Sequence, residues 1–302
     1  MVHTRRSFIR CLGGAAALAP FSPGFGASAL ASTEAAALVA DGGAGLAPLI
    51  RQSAMSLPNP TTRERAAIDG TLARLEGFAI DHTRGRFILA NIASAEVVAY
   101  QDGREVLRSR AIVGAGRTRT PCLGSVVPSV RLNPPWYVPA SIERTMKASP
   151  ALFRRVNGTL VQPPGPRNPL GPIRIGLEDS PAVYLHGTSD PRLFARDRRA
   201  LSHGCVRVER ILDLAAWVLD MPAEELNAAV ATGRTRELTP PEEVRVALAY
   251  LTVWPGGDGR LAFHPDPYGF DRLPRGGATR LAPWPAPPEP APPLGTDLGE
   301  SS

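Results

Sequence analysis

Prolines and glycines punctuate this chain too densely for long helices, 32 of the one and 29 of the other in 302 residues. Proline removes a helix-interior hydrogen bond and glycine raises the entropy lost on ordering, so a loop-rich, strand-rich body is expected rather than a helical bundle. At this length the chain holds one large domain or two small ones and can bury a real core. Asp102-Gly103, flanked by residues 95–101 and 104–113, predicts a hairpin with a type I′ turn, whose two positive φ angles suit that pair. Residues 174–177 and 183–185 read as short strands, the second delivering His186 at its end, and 244–254 reads as a long strand or strand pair. Helical spacing is confined to short stretches. It covers 61–75, closing at Gly77, then Val208, Ile211, Leu212, Ala215, Val218 and Leu219, and a segment bracketed by Pro222 and Gly233. Asn157-Gly158-Thr159 matches a glycosylation sequon but reads better as a turn.

Chemistry concentrates in Ser202-His203-Gly204-Cys205-Val206-Arg207-Val208, with His186-Gly187-Thr188 upstream. A thiol attacks only as thiolate, and either neighbouring imidazole could take its proton. Because helical spacing follows, Cys205 is expected just before a helix N-terminus, where the macrodipole favours a thiolate and free N–H groups favour an oxyanion. Gly204 allows substrate close to the backbone, and the Gly204 and Cys205 N–H groups are the expected oxyanion donors. Ser202 is expected to cap or brace the loop. Arg207 is read as meeting a substrate carboxylate or forming a structural ion pair.

His-Gly-Thr followed by Ser-His-Gly-Cys-Val-Arg resembles the signature of the L,D-transpeptidase catalytic domain (YkuD type), bacterial enzymes that cross-link peptidoglycan. Further blocks resemble its larger Gram-negative branch in the right order: Asn91-Ile92, Thr120-Pro121, residues 133–139, residues 164–171, Tyr184-Leu185-His186 and residues 268–271. The resemblance implies a mainly β fold with a few helices, a β-sandwich of curved mixed sheets. It implies Cys205 as nucleophile and His186 as general base, oriented by a backbone carbonyl near Gly187. His203 joins the catalytic set by orienting the loop or lining the acyl pocket. Arg207, Asn168 and Tyr184 are expected at the substrate, while Trp136 and the 164–171 loop border the cleft or simply pack.

The implied reaction uses no cofactor. Cys205 attacks the third stem residue of a peptidoglycan tetrapeptide, releases D-alanine and leaves a thioester that an amine resolves as a 3→3 cross-link. Water or a protein amine as acceptor, and a catalytically silent wall-binding protein, are the alternative readings.

Charge and targeting signals narrow the partners. The formal charge of +6 falls to +3 once Arg5, Arg6 and Arg10 leave with an expected leader. That is too little to argue for nucleic acid, and no basic run with interleaved aromatics occurs. Residues 4–10 resemble a twin-arginine pattern, 11–19 are weakly apolar, and Ala29-Leu30-Ala31 offers a cleavage site. The apolar run is far shorter than the ~20 residues of a membrane span, so cleavage, a periplasmic destination and no lasting membrane anchor are expected. Cys122 and Cys205 then remain, Cys122 as a buried inert thiol, and no cysteine or histidine cluster has metal spacing. Gly114-Ala115-Gly116 is no dinucleotide loop, because Arg119 stands where a third glycine belongs. Arg196, Arg198 and Arg199 read as a solvated basic face that would also attract an acidic peptide.

The expected organisation is a signal peptide over 1–31, a linker over 32–58, a catalytic domain over 59–275 with an N-terminal helix, and a Pro-rich tail over 276–302. No separate peptidoglycan-binding module is expected before residue 60.

Overall fold

The computed structural model describes residues 45–76, 80–178, 180, 183–256 and 260–274. The expected leader, the 32–44 part of the expected linker and the Pro-rich tail lie outside the described residues. In chain order come α1 (Leu46–Met55), α2 (Thr62–Leu75), β1 (Arg86–Asn91), β2 (Glu96–Gln101), β3 (Arg104–Gly114), β4 (Leu123–Val126), β5 (Val130–Leu132) and β6 (Trp136–Tyr137). A helical turn, α3 (Ala140–Glu143), leads to β7 (Arg154–Val156), β8 (Thr159–Gln162), β9 (Ile173–Ile175) and β10 (Leu185–His186). A 3₁₀ turn at Pro191–Ala195 precedes β11 (Ala200–Ser202) and β12 (Val206–Val208), followed by α4 (Ile211–Leu219) and α5 (Ala223–Ala231). The last elements are β13 (Arg236–Leu238), β14 (Val244–Ala249), β15 (Val253–Pro255), β16 (Leu261–Phe263) and a 3₁₀ turn at Phe270–Arg272.

The mainly β architecture expected from the sequence is present as a curled, mixed half-barrel. Its strands run β13-β5-β9-β10-β12-β3-β2-β1-β14-β4, with β11 added on β3, while β6-β8-β7 and β15-β16 form small separate sheets. Pairing is antiparallel except β1–β14, β10–β12 and β11–β3. The centre of the sheet is buried on both faces, which is why β1 reads as a continuous apolar run rather than an alternation. On one face Ile88, Ala90, Val97, Val246 and Leu248 pack with Ile211, Leu214 and Val218 of α4. On the other, Phe87, Leu89, Val98 and Ala249 pack with Ile50 of α1 and Ile68 of α2.

Turn chemistry behaves as the residues predict. Asp102 and Gly103 take φ of 48° and 79°, and Asn157 and Gly158 take 48° and 80°. Both pairs close hairpins, β2–β3 and β7–β8. The 244–254 run divides into β14 and β15.

Two expectations are corrected. Residues 46–55, placed in the linker, form α1, because Leu46 and Ile50 fall one turn apart and bury against the sheet. The helix after Cys205 begins at Ile211, since Val206 and Val208 alternate inward as β12 between β10 and β3. Cys205 therefore leads into a strand and not into the first turn of a helix.

The second face is fastened by one buried cation. Arg74, 6% exposed on α2, donates to Tyr250 O (2.8 Å), to the Thr71 and Thr252 hydroxyls (3.1 and 2.9 Å) and to the Asp271 carboxylate (2.8 Å). Removing one member of a buried ion pair leaves the other uncompensated, at about 3–5 kcal/mol. Arg74→Ala is predicted to lose about that much stability in a denaturant titration, and a loss below about 1 kcal/mol would contradict the fastening role.

Candidate active site

Three short strands set the site. β10 pairs in parallel with β12 and antiparallel with β9, so His186 stands level with Arg207 on one side and Arg174 on the other. Directly paired residues project to the same face of a sheet, which lines up Arg174, His186 and Arg207 across the strands. One step back, Val206 N–H donates to Tyr184 C=O at 3.1 Å and brings Cys205 level with Tyr184. The Tyr184 ring meets the His186 ring at 5.5 Å and 60°, and the Arg174 guanidinium lies 4.6 Å from the Tyr184 ring centre.

Electrostatics at this cluster favours neutral partners. His186 is 4% exposed, and burial, then the charge of Arg207, push its pKa down to about 3. The backbone carbonyls of Gly187 and Leu170 pull the other way, with Arg174 adding to the depression. Neither carbonyl completes a hydrogen bond to His186 Nδ1, which is buried without a partner. The expected orienting carbonyl near Gly187 is thus close by without reaching hydrogen-bond geometry. Gly187 also keeps the segment close-packed, for a Cβ there would lie 3.0 Å from Pro172 Cδ and 3.2 Å from Ile211 Cγ2.

Burial likewise raises the Cys205 pKa above that of an ordinary thiol. Hydrogen bonding by the Tyr184 backbone and hydroxyl, and the Arg174 and Arg207 charges, offset part of that rise. The resting pair is a neutral thiol and a neutral imidazole, where the sequence suggested a preformed thiolate. A thiol and an imidazole in these states would exchange a proton only as the sulfur attacked.

The Cys205 loop is braced from behind. Ser202 Oγ accepts from Gly204 N–H (3.1 Å) and donates to Cys205 C=O (2.6 Å). That contact corrects the expected oxyanion pair, because the Gly204 N–H is already committed to Ser202. Gly204 sits at φ 121°, a backbone region few side chains tolerate. Thr120, whose role the sequence left open, acts as a bolt. Its hydroxyl donates to Gly204 C=O and accepts from Gly114 N–H, both at 2.8 Å, and its N–H donates to the Tyr268 hydroxyl at 3.1 Å. Tyr268 in turn donates to Gly114 C=O at 2.7 Å, and Thr118 Oγ1 donates to Ser202 C=O at 2.8 Å.

The remaining expected site residues differ in their surroundings. The His203 side chain is exposed. Asn168 is 1% exposed, and its side-chain amide donates to Pro134, Gln162 and Pro163 carbonyls while accepting from Leu170 N–H. Its side chain shapes the 163–171 loop from inside and cannot touch a substrate. Arg207 forms no ion pair among the described residues, and its buried Nε has no partner. Arg199 is structural, donating to Ala111, Ser94 and Ala95 carbonyls, while Arg196 and Arg198 are exposed. Trp136 packs edge-on to Phe153. Cys122 is unbridged and half-buried against the core, its pKa pushed up to about 11 by burial.

Arg174 was missed altogether. Its only sequence signal was a charge inside the short Ile-Arg-Ile strand. Size alone also misleads: a cavity of about 1010 Å³ opens between α2 and residues 92–95 and 197–201, and neither Cys205 nor His186 lines it. Among the described residues no group of three or more His, Cys, Asp or Glu side chains could hold a metal ion.

Residues 85–235 match the family model described as the L,D-transpeptidase catalytic domain. The chain is 31% identical over 259 residues to a curated Haemophilus influenzae protein whose name assigns it provisionally to the L,D-transpeptidases. That match covers 74% of this chain and 53% of the relative, so the chain spans about half the length of the protein it resembles. Similar solved structures include an L,D-transpeptidase from Mycobacterium smegmatis, at 17% identity and TM-score 0.32 over 53% of this chain and 58% of that one. Another is L,D-transpeptidase 3 from Mycobacterium tuberculosis in complex with a faropenem-derived adduct, at 15% identity and TM-score 0.33 over 55% and 60%.

A buried, neutral His186 makes stability fall with acid. Its folded pKa lies near 3 and its ordinary value is 6.5, so between those limits the unfolded chain binds the extra proton and folding weakens as pH drops. His186→Gln removes that linkage. From about pH 7 to about pH 4 the parent should lose more thermal stability than the variant, and equal losses would place a charged or exposed histidine at 186.

Proposed function

The chain belongs to the L,D-transpeptidase catalytic domain family, and from that premise we propose that it cross-links peptidoglycan stem peptides through a Cys205 thioester. The observation that supports this reading is the placement of His186 and Cys205 on the paired strands β10 and β12, His186 level with Arg207 and Cys205 one step back beside Tyr184, with the Ser202 and Thr120 brace behind the loop. Cys205 sulfur attacks the carbonyl of the third stem residue while His186 takes the thiol proton. As the amide bond breaks, the same proton passes to the nitrogen of the departing D-alanine. A side-chain amine of a second stem then attacks the thioester and loses a proton to His186, which returns it to the sulfur. The product is a 3→3 cross-link, and the energy of the broken amide is carried in the thioester without ATP.

The oxyanion formed in each step meets the Cys205 backbone, the member of the expected donor pair not committed to Ser202. The proposed location is the periplasm, reached through the twin-arginine-like leader at residues 1–31.

Mass spectrometry of purified protein with a disaccharide-tetrapeptide tests the reading. A dimer formed with loss of one D-alanine is expected, and Cys205→Ala should abolish it. His186→Ala should slow it by about 10²–10⁴-fold, the usual worth of a general base. A tripeptide product without dimer would make water the acceptor and overturn the cross-linking reading. No product at all, with Cys205 unreactive to thiol reagents, would make the protein a silent binder.

A further inference from the structure

We propose that Arg174 and Arg207 form a carboxylate-binding site beside Cys205, and that a carboxylate of the donor peptide docks between them. The two arginines flank His186 in register on β9 and β12. Neighbouring strands lie about 4.8 Å apart, so the two side chains start about 10 Å apart and their guanidinium groups can converge on one carboxylate. Both residues are half-buried, and the Nε of each is buried without a hydrogen-bond partner.

Among the described residues neither arginine forms an ion pair. The carboxylate that feels Arg174 is Glu237, and Glu237 is held by Arg131, the next residue along the same row. Asp190 feels Arg207 but is held by Arg192 at 2.8 Å. Two half-buried cations beside a buried imidazole, with no ion pair among the described residues, carry an electrostatic cost. The Tyr184 ring face under Arg174 offsets only part of it. An incoming carboxylate would relieve the rest through charge-assisted hydrogen bonds. It would also screen the two charges that depress His186, so that docking the donor makes His186 a better base when one is needed.

A donor tetrapeptide offers two carboxylates near the scissile bond, on the diaminopimelate side chain and on the terminal D-alanine. That half of the inference rests on the function proposed above, whereas the anion site does not.

Two small reagents test the site without any peptide. Iodoacetate and iodoacetamide alkylate Cys205 alike except for charge. Parent protein is expected to show an iodoacetate-to-iodoacetamide rate ratio about tenfold or more above that of a cysteine peptide, given the strength of charge-assisted bonds. Arg174→Met should lower the ratio at least about threefold and Arg174→Lys should largely retain it, because the ammonium keeps the charge. In the parent itself, acetate should slow iodoacetamide labelling in a saturable manner at constant ionic strength. An unchanged ratio in Arg174→Met overturns the proposal, and so does absence of acetate protection in the parent.

Tetrapeptides amidated at diaminopimelate or at the terminal D-alanine then assign the carboxylate, by whichever amidation raises KM in the parent but not further in Arg174→Met. If both amidated peptides are used as well as the free acid, the donor half of the proposal falls while the transpeptidase stands. If the reagents show the anion site but no peptide is turned over, the site stands and the transpeptidase reading falls.

Discussion

The hydrogen bond from Val206 N–H to Tyr184 C=O sets the level of β12 against β10, and the chemistry of this protein hangs on that register. It places Cys205 beside Tyr184 and Arg207 beside His186, and β9 adds Arg174 on the far side. A slip of one residue would turn Cys205 to the opposite face of the sheet. The register is protected because Leu185, Val206 and Val208, alternating with the site residues, are buried in the apolar core. Packing on one face thus dictates geometry on the other.

The loop between β11 and β12 has no such protection of its own and borrows rigidity from afar. Thr120 joins the end of β3 to Gly204, and Tyr268, nearly 150 residues later, joins Thr120 to Gly114. Tyr268 stacks on Tyr250, whose hydroxyl donates to Asp266, and Arg74 on α2 reaches the Tyr250 carbonyl. Helix α2 on one face and the Cys205 loop are therefore connected through a chain of hydrogen bonds and stacked rings. Rigid support of this kind lets a buried, uncharged thiol be held in place without an ion pair.

Much of this could be read from residues whose local chemistry admits one outcome. Asp102-Gly103 names its own turn, Thr61 caps α2 with Glu64 three residues on, and His186 closes a short apolar strand. What escaped is set by tertiary context. Helix α1 has only two buried anchors and follows an Ala-rich stretch, so composition made it look like part of a linker. Val206 and Val208 are too few to distinguish a strand from the first turn of a helix. Asn168 looks like a polar ligand until four partners from the chain enclose it. Protonation was beyond the sequence altogether, since burial raises the thiol pKa while burial and two arginines that come together only on folding depress the imidazole.

The central claim is that Cys205 and His186 rest as a neutral pair and exchange a proton only during attack. The pH dependence of Cys205 alkylation by iodoacetamide, followed by intact mass, tests it most directly. The account predicts a single rising limb whose midpoint lies above the ordinary thiol value of about 8.5. A reactive plateau that already extends to neutral pH would show a preformed thiolate–imidazolium pair and contradict it.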